Sequence, residues 1–128
     1  MLTILPEKNE DLLDIYKPQT DNAALLVSRN GSEEIGHIAI EQRADIIYII
    51  GFHLNGFDLQ SKPNFGQHTD ADALLRAAGS YALNRAIYII NCEVPEYFTL
   101  LRRFGFEETD SYLSISLKQL LKTCKNCR

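Results

Sequence analysis

Two titratable side chains directly follow short apolar segments that the sequence predicts to be strands. His53 follows residues 46–52, and Glu93 follows residues 87–92. An imidazole titrates near neutral pH and a carboxylate can accept a proton, so either side chain could act as a general base. Each is equally an ordinary polar residue at a strand end. The sequence therefore offers two candidate bases and does not choose between them.

The three cysteines are not arranged as a disulfide framework or a zinc site. Cys124 and Cys127 form a CxxC pair close to the C-terminus, among basic residues. A structural zinc usually takes four ligands, and only Cys92 and three scattered histidines remain. We interpret residues 122–128 as a basic tail with incidental thiols, with metal or intermolecular redox chemistry as the minor alternative. Cys92 is expected to be a small buried hydrophobe, and no metal site is predicted.

A helix with an acidic start is predicted in the middle of the chain. Thr69 and Asp72 have the spacing of a capping box, and Asp70 also falls in the first turn, where the helix dipole favours anions. Leu74 and Ala78 begin an apolar stripe with helical spacing. The pattern predicts a helix that begins at Thr69. Its acidic residues either cap the helix or lie beside an anion bound at its tip.

The flanking segments predict a sheet that the helices cover. A continuous apolar run at residues 87–90 is typical of a central strand, and Pro95 suits the first turn of a following helix that ends at Gly105-Phe106. In the first half, a strand and a short helix precede an antiparallel meander with a turn at Asn30-Gly31. Residues 55–68 read as a long irregular loop, which suggests a binding role. The expected fold is α/β, with a mixed, largely antiparallel sheet and helices on both faces.

Composition limits the class of protein. The chain has 128 residues, 45% of them hydrophobic and 23% charged, with a net charge of −4. These values predict one globular domain over residues 1–121. The negative charge argues against nucleic acid as a partner, and no apolar stretch approaches the roughly 20 residues of a membrane span. Without a visible signal segment, a cytoplasmic location is expected. A homodimer is compatible with the sequence.

Four stretches of the second half carry a family resemblance. They are Ala73-Leu74-Leu75-Arg76-Ala77-Ala78, Tyr81-Ala82, Ile87-Tyr88-Ile89 and Leu100-Leu101-Arg102-Arg103-Phe104-Gly105-Phe106. Together with the order of elements, they resemble the GNAT family of N-acetyltransferases. The resemblance implies an acyl-CoA N-acyltransferase-like protein that transfers an acetyl group from acetyl-CoA to a small-molecule or peptide amine. It also implies a V-shaped opening for the thioester arm between residues 46–52 and 87–92.

The resemblance implies a phosphate-binding loop at the start of the central helix, with the pattern Gln/Arg-x-x-Gly-x-Gly/Ala. Alignment on Leu74-Leu75 places Gly66 at the first position of this pattern, and only its last position matches. The carboxylate of Asp70 would repel phosphate, at a cost of roughly 1–3 kcal/mol at about 5 Å, which a nearby basic residue would partly offset. The cofactor-binding candidates are therefore Gln67, which is one residue out of register, Thr69, Asp70, Ala71 and Arg76.

The resemblance also implies a tyrosine that returns a proton to the CoA thiolate. Leu101 occupies the position that the family usually gives to this tyrosine, and Tyr97, one helical turn earlier, could replace it or serve in core packing. The predicted catalytic residues are His53, Glu93 and Tyr97. Because the phosphate loop and the acid both depart from the family pattern, a catalytically inactive ligand-binding or protein-interaction module with the same fold is the competing hypothesis.

Overall fold

The computed structural model describes residues 2–123. The strands are β1 (Leu2–Glu7), β2 (Ala23–Asn30), β3 (Glu33–Arg43), β4 (Ile46–Leu54), β5 (Ile89–Cys92), β6 (Glu107–Thr109) and β7 (Tyr112–Ser116). The helices are α1 (Glu10–Ile15), α2 (Phe65–Leu83), α3 (Phe98–Arg102) and α4 (Leu117–Thr123), and a 3₁₀ turn, Pro95–Tyr97, leads into α3. Helix α4 thus extends two residues beyond the predicted domain boundary. Cys124 and Cys127 lie outside the described residues.

All seven strands join one sheet in the order β1-β2-β3-β4-β5-β7-β6. Every neighbouring pair is antiparallel except β4 and β5, which are parallel. The prediction of a mixed, largely antiparallel sheet is therefore confirmed. Within residues 2–123, none of the helices combines the length and apolar character needed to cross a bilayer.

Helices cover both faces of the sheet because side chains alternate along the strands. Ile38 and Ile40 of β3 point into the larger core, which includes Leu74 and Ala78 of α2. The residue between them, Ala39, faces the opposite side, where it packs in a smaller cluster under α1. That cluster contains Leu25, Val27, Ala39 and Ile50, with Leu12, Leu13 and Tyr16 against it. Two separate apolar clusters thus fix α1 and α2 on opposite faces.

Strands β4 and β5 part at the centre of the sheet. Their register runs from Ile47 opposite Ile90 to Ile49 opposite Cys92, where β5 ends while β4 continues to Leu54. On its other side, β4 contains a bulge, because Gly51 pairs with Ala39 and Ile49 pairs with Ile40, which leaves Ile50 without a partner. A bulge bends its strand and increases the local twist. The parallel pair therefore opens directly beyond Ile49.

Helix α2 begins earlier than the sequence analysis predicts. Its N-cap is Asn64, whose side chain accepts from the Gln67 amide at 2.8 Å, while the Gln67 side chain accepts from the Asn64 amide at 3.0 Å. Thr69 lies inside the helix, where its hydroxyl donates to the Phe65 carbonyl at 3.0 Å. The predicted start at Thr69, with its capping box to Asp72, is wrong. Reciprocal bonding by Asn64 and Gln67 satisfies the helix end one turn earlier.

Candidate functional site

A cleft of about 530 Å³ lies where β4 parts from β5. Its wall on one side comes from the bulged half of β4, and its other walls come from the end of α1, the loop after β4 and the segment after β5. The lining residues are Ile15, Tyr16, Lys17, Ile50, Phe52, His53, Leu59, Val94, Glu96 and Tyr97. The opening that the family resemblance implies between the two central strands is therefore present.

Tyr16 lies directly against the bulge. A Cβ atom added at Gly51 would come within 2.5 Å of the Tyr16 ring, so the ring occupies the space that any larger residue at position 51 would need. Glycine is thus required here by close approach rather than by backbone conformation. The phenol of Tyr16 is thereby held at the edge of the cleft.

Tyr97 occupies the opposite wall of the cleft. The residue is only 4% exposed, and its ring meets that of Phe52 edge to face with centroids 6.5 Å apart. Burial raises the pKa of Tyr97 to about 12, although a hydrogen bond from the Phe52 backbone amide opposes this shift. The phenol therefore stays protonated at neutral pH. Tyr97 and the Phe52 amide together place a proton donor and a backbone N–H at the opening.

His37, which carries no functional signal in the sequence, makes two side-chain contacts beside the cleft. His37 on β3 is 4% exposed, and its Nε2 lies 2.7 Å from the Tyr16 hydroxyl. Its Nδ1 lies 3.2 Å from Oε2 of Glu34. Burial lowers the pKa of His37, and hydrogen bonding to Glu34 opposes the shift. No sequence signal links Tyr16 to His37, because the two residues are 21 positions apart and on different elements.

The two predicted bases have different surroundings. His53 lines the cleft, its Nε2 lies 3.0 Å from the Asn55 side-chain oxygen, and its ring centroid is 5.4 Å from that of His37. Glu93 is absent from the lining, and its carboxylate accepts from Arg43 at 2.8 Å. Arg43 also pairs with the buried carboxylate of Glu41. The structure thus places His53, but not Glu93, at the cleft.

Cys92 is fully buried at the end of β5. Burial raises the pKa of its thiol to about 11, and its sulfur lies 3.7 Å from the Val94 carbonyl oxygen. A thiol with so high a pKa is a poor nucleophile at neutral pH. Across residues 2–123, no group of three or more His, Cys, Asp or Glu side chains could hold a metal ion.

The residues predicted to bind the phosphates lie within α2 and not in a loop. The amides of Thr69, Asp70 and Ala71 are internal to the helix, where they bond to carbonyls one turn back. Gln67 forms part of the cap, and Arg76 donates through Nε to Asp72 at 2.9 Å. The predicted phosphate-binding role of these amides required the helix to start at Thr69. Because α2 starts at Phe65, these amides are not at the helix end.

The loop after β4 is tied to the segment after β5. The Gln60 side chain donates to the Glu96 carbonyl at 3.1 Å and accepts from the Thr99 hydroxyl at 3.3 Å. These two bonds join chain segments that lie on opposite sides of the opening between β4 and β5. The opening is therefore bounded on one side by the Ile49–Cys92 strand pair and on the other by the two Gln60 hydrogen bonds.

No protein-family model matches the sequence, and no curated protein sequence matches it significantly. Solved structures do match over most of the chain. The ribosomal-protein-S18-alanine N-acetyltransferase from Escherichia coli is 12% identical, with a TM-score of 0.66, and the match covers 91% of this chain and 94% of that chain. The aminoglycoside 6'-N-acetyltransferase from Enterococcus faecium is 7% identical, with a TM-score of 0.64 and coverages of 91% and 97%.

A GNAT family acetyltransferase from Elizabethkingia anophelis, solved with acetyl-CoA bound, is 14% identical to this chain. Its TM-score is 0.65, and the match covers 90% of this chain and 97% of that chain. At sequence identities this low, structural similarity establishes the fold but not the activity. With its parted parallel strands, this chain has the fold of the GNAT N-acetyltransferases, as its sequence predicted.

Proposed function

We propose that the protein is an acyl-CoA-dependent N-acyltransferase that transfers an acetyl group from acetyl-CoA to an amine. The observation that carries the proposal is the cleft between β4 and β5, where the Phe52 amide and the protonated phenol of Tyr97 meet. A proton donor at an opening for the thioester is what departure of the thiolate in acyl transfer requires. Structural neighbours that are acetyltransferases support the same reaction class.

In the proposed reaction, the acceptor amine attacks the thioester carbonyl directly. A C–N bond forms and the C–S bond breaks, so the sulfur leaves as a thiolate. Tyr97, whose phenolic oxygen accepts from the Phe52 N–H, is the group proposed to give its proton to the thiolate. His53, which lines the cleft, is the candidate base from the sequence that this geometry favours, because Glu93 is paired with Arg43.

The residues fit acetyl-CoA unequally along its length. The thioester end meets an opening whose β4 edge has no strand partner beyond Ile49. The pyrophosphate end, by contrast, meets a helix tip that its own Asn64 and Gln67 already cap. We therefore assign the thioester end to the cleft and assign no protein group to the pyrophosphate.

The acceptor is proposed only as a small-molecule or peptide amine. The neighbours differ in this respect, since one is named for an aminoglycoside and another for an alanine of a ribosomal protein. A cytoplasmic location and a homodimer stay predictions. The second candidate function is a non-catalytic binding module, which the self-capped tip of α2 and the Gln60 bonds across the opening favour.

Titration of acetyl-CoA and free CoA by calorimetry, followed by an assay of amine-dependent thiol release, tests the proposal. We expect acetyl-CoA to bind in the micromolar range and thiol to be released with at least one amine from a panel of peptides, aminoglycosides and polyamines. Binding without release with any amine would favour the module. Absence of binding would contradict an acyl-CoA-dependent function altogether.

A further inference from the structure

Two side chains of β3 and one at the end of α1 form a continuous hydrogen-bonded path that leads to the cleft. Glu34 and His37 lie on β3, and Tyr16 directly follows α1. The links are 3.2 Å from the Glu34 carboxylate to His37 Nδ1 and 2.7 Å from His37 Nε2 to the Tyr16 hydroxyl. Since His37 is almost fully buried and Tyr16 lines the cleft, the phenol connects the imidazole to the space where an acceptor would bind.

The partners of His37 determine how its protons are placed. An ionised carboxylate only accepts hydrogen bonds, so the Nδ1 that faces Glu34 carries the proton. The Nε2 of the neutral ring then holds a lone pair, which accepts from the Tyr16 hydroxyl. Tyr16 keeps the remaining lone pairs of its oxygen for a donor in the cleft. An ammonium group or an attacking amine is such a donor.

We propose that Tyr16 accepts the proton of the acceptor amine and passes its own phenolic proton to His37, which Glu34 orients. This inference rests on the proposed acyl transfer and names the group that removes the proton. As the C–N bond forms, one N–H proton moves to the Tyr16 oxygen and the Tyr16 proton moves to His37 Nε2. The imidazolium that results is stabilised by the Glu34 carboxylate. Tyr16 is then the catalytic residue, and His37 and Glu34 are positioning residues.

His53 is the competing base, and its surroundings suit the task less well. Its Nε2 already faces the Asn55 side chain, and its side chain is exposed. His37, by contrast, is aligned by a partner at each ring nitrogen. A base whose tautomer and orientation are fixed by a partner at each nitrogen transfers a proton more efficiently than one held at a single nitrogen. If His37 is the base, substitution of His37 should reduce activity much more than substitution of His53. If His53 is the base, the reverse is expected.

The path also predicts a pH dependence. The titratable groups that face His37 are Glu34 from its own strand, Tyr16 from the end of α1 and His53 from β4. Glu96, from the segment after β5, acts on Tyr16. Burial lowers the pKa of His37, so the ring is neutral and able to accept a proton at pH 7. Activity should fall as the pH decreases through this lowered pKa, because a protonated His37 cannot accept the Tyr16 proton.

The experiment measures kcat/KM for transfer from acetyl-CoA to the best amine of the panel between pH 5 and 9, with acetyl-CoA affinity measured in parallel. Tyr16→Phe and His37→Gln should each lower kcat/KM by about 100-fold or more, with the acetyl-CoA Kd unchanged. His37→Gln keeps an acceptor for the Tyr16 hydroxyl but cannot take up its proton. Both variants should also lose the acidic limb of the pH profile. Tyr48→Phe, which removes a hydroxyl from the same face of the sheet outside the cleft, is the matched control.

The outcomes separate the two proposals. If the unsubstituted protein transfers acetyl and Tyr16→Phe keeps most of that activity, the relay is overturned and the acyltransferase stands. A large loss in His53→Gln with little loss in Tyr16→Phe leads to the same conclusion. If the unsubstituted protein neither binds acetyl-CoA nor transfers, both proposals fail.

A measurement on the unsubstituted protein covers the case in which a variant does not fold. NMR titration gives the pKa of His37, and its resonances are assigned by elimination, because His53→Gln and His68→Gln remove the signals of the other two histidines. Agreement between this pKa and that of the acidic limb of kcat/KM supports the relay. A clear mismatch overturns it.

Discussion

The cleft between β4 and β5 and the tip of α2 are built in different ways. At the cleft, Tyr16, Tyr97 and the β4 bulge come from separate parts of the chain and meet only in the folded protein. At the tip of α2, Asn64 and Gln67 are three residues apart and satisfy each other locally. The cleft presents groups to a ligand, whereas the helix tip uses its groups on itself. Binding and chemistry should therefore depend on the cleft much more than on the tip.

The largest expected effect belongs to the cleft. Tyr97→Phe should lower kcat for acetyl transfer by about 100-fold or more, because the thiolate loses its proton donor. Because the pKa of Tyr97 is raised to about 12, the unsubstituted protein should keep this acid protonated up to pH 10. Steady-state kinetics and calorimetry check both points, with Tyr48→Phe as control. A weaker acetyl-CoA affinity with unchanged kcat would instead assign Tyr97 to binding.

The second effect compares one glycine from each region. Gly51→Ala should destabilise the protein by about 1–3 kcal/mol, because the new methyl would lie 2.5 Å from the Tyr16 ring. At the helix tip, a Cβ at Gly66 would have only Asn64 Oδ1 nearby, at 3.6 Å. Gly66→Ala should therefore be neutral or stabilising by up to about 1 kcal/mol. Urea denaturation measures both changes, and equal effects would contradict the difference between the regions.

The third effect tests where α2 begins. Asn64→Ala should lower the free energy of unfolding by about 1 kcal/mol, because the Gln67 amide loses its acceptor. Thr69→Ala, the matched substitution at the start that the sequence suggested, should change it by less than about 0.5 kcal/mol. Thermal or urea unfolding decides between them. A larger loss from Thr69→Ala would restore the later helix start.

The smallest effect concerns the acidic residue that the sequence analysis placed among the phosphates. Asp70→Asn should change the acetyl-CoA Kd by about threefold or less, because Asp70 lies beyond the first turn of α2 and solvent screens its charge. Calorimetry at low and at physiological salt checks this expectation. Tenfold tighter binding, abolished by salt, would show that phosphate does bind beside Asp70.

Most of the fold could be predicted because its signals are local. The β2–β3 hairpin lies where Asn30-Gly31 predicts it, but the turn is one residue later, at Gly31-Ser32, because Asn30 pairs with Glu33 in the strands. Gly31 has a φ of +65°, and Gly105 after α3 has a φ of +93°. The start of α2 was missed because Thr69 and Asp72 have the same capping spacing as Asn64 and Gln67, and local pattern alone does not choose between them. The link from Tyr16 to His37 could not be predicted, since it depends on how α1 docks on the sheet.

The Gln60 bonds have a geometric consequence for any elongated ligand. Strands β4 and β5 are joined at Ile49 and Cys92, and Gln60 joins the chains that continue from them. Together these links form a closed ring of protein around the gap. A long molecule cannot slide sideways into a closed ring, so it must thread through end-first or enter after two hydrogen bonds break. The outer side of this ring is held by two solvent-exposed side-chain hydrogen bonds, so it opens more readily than the strand pairing at its base.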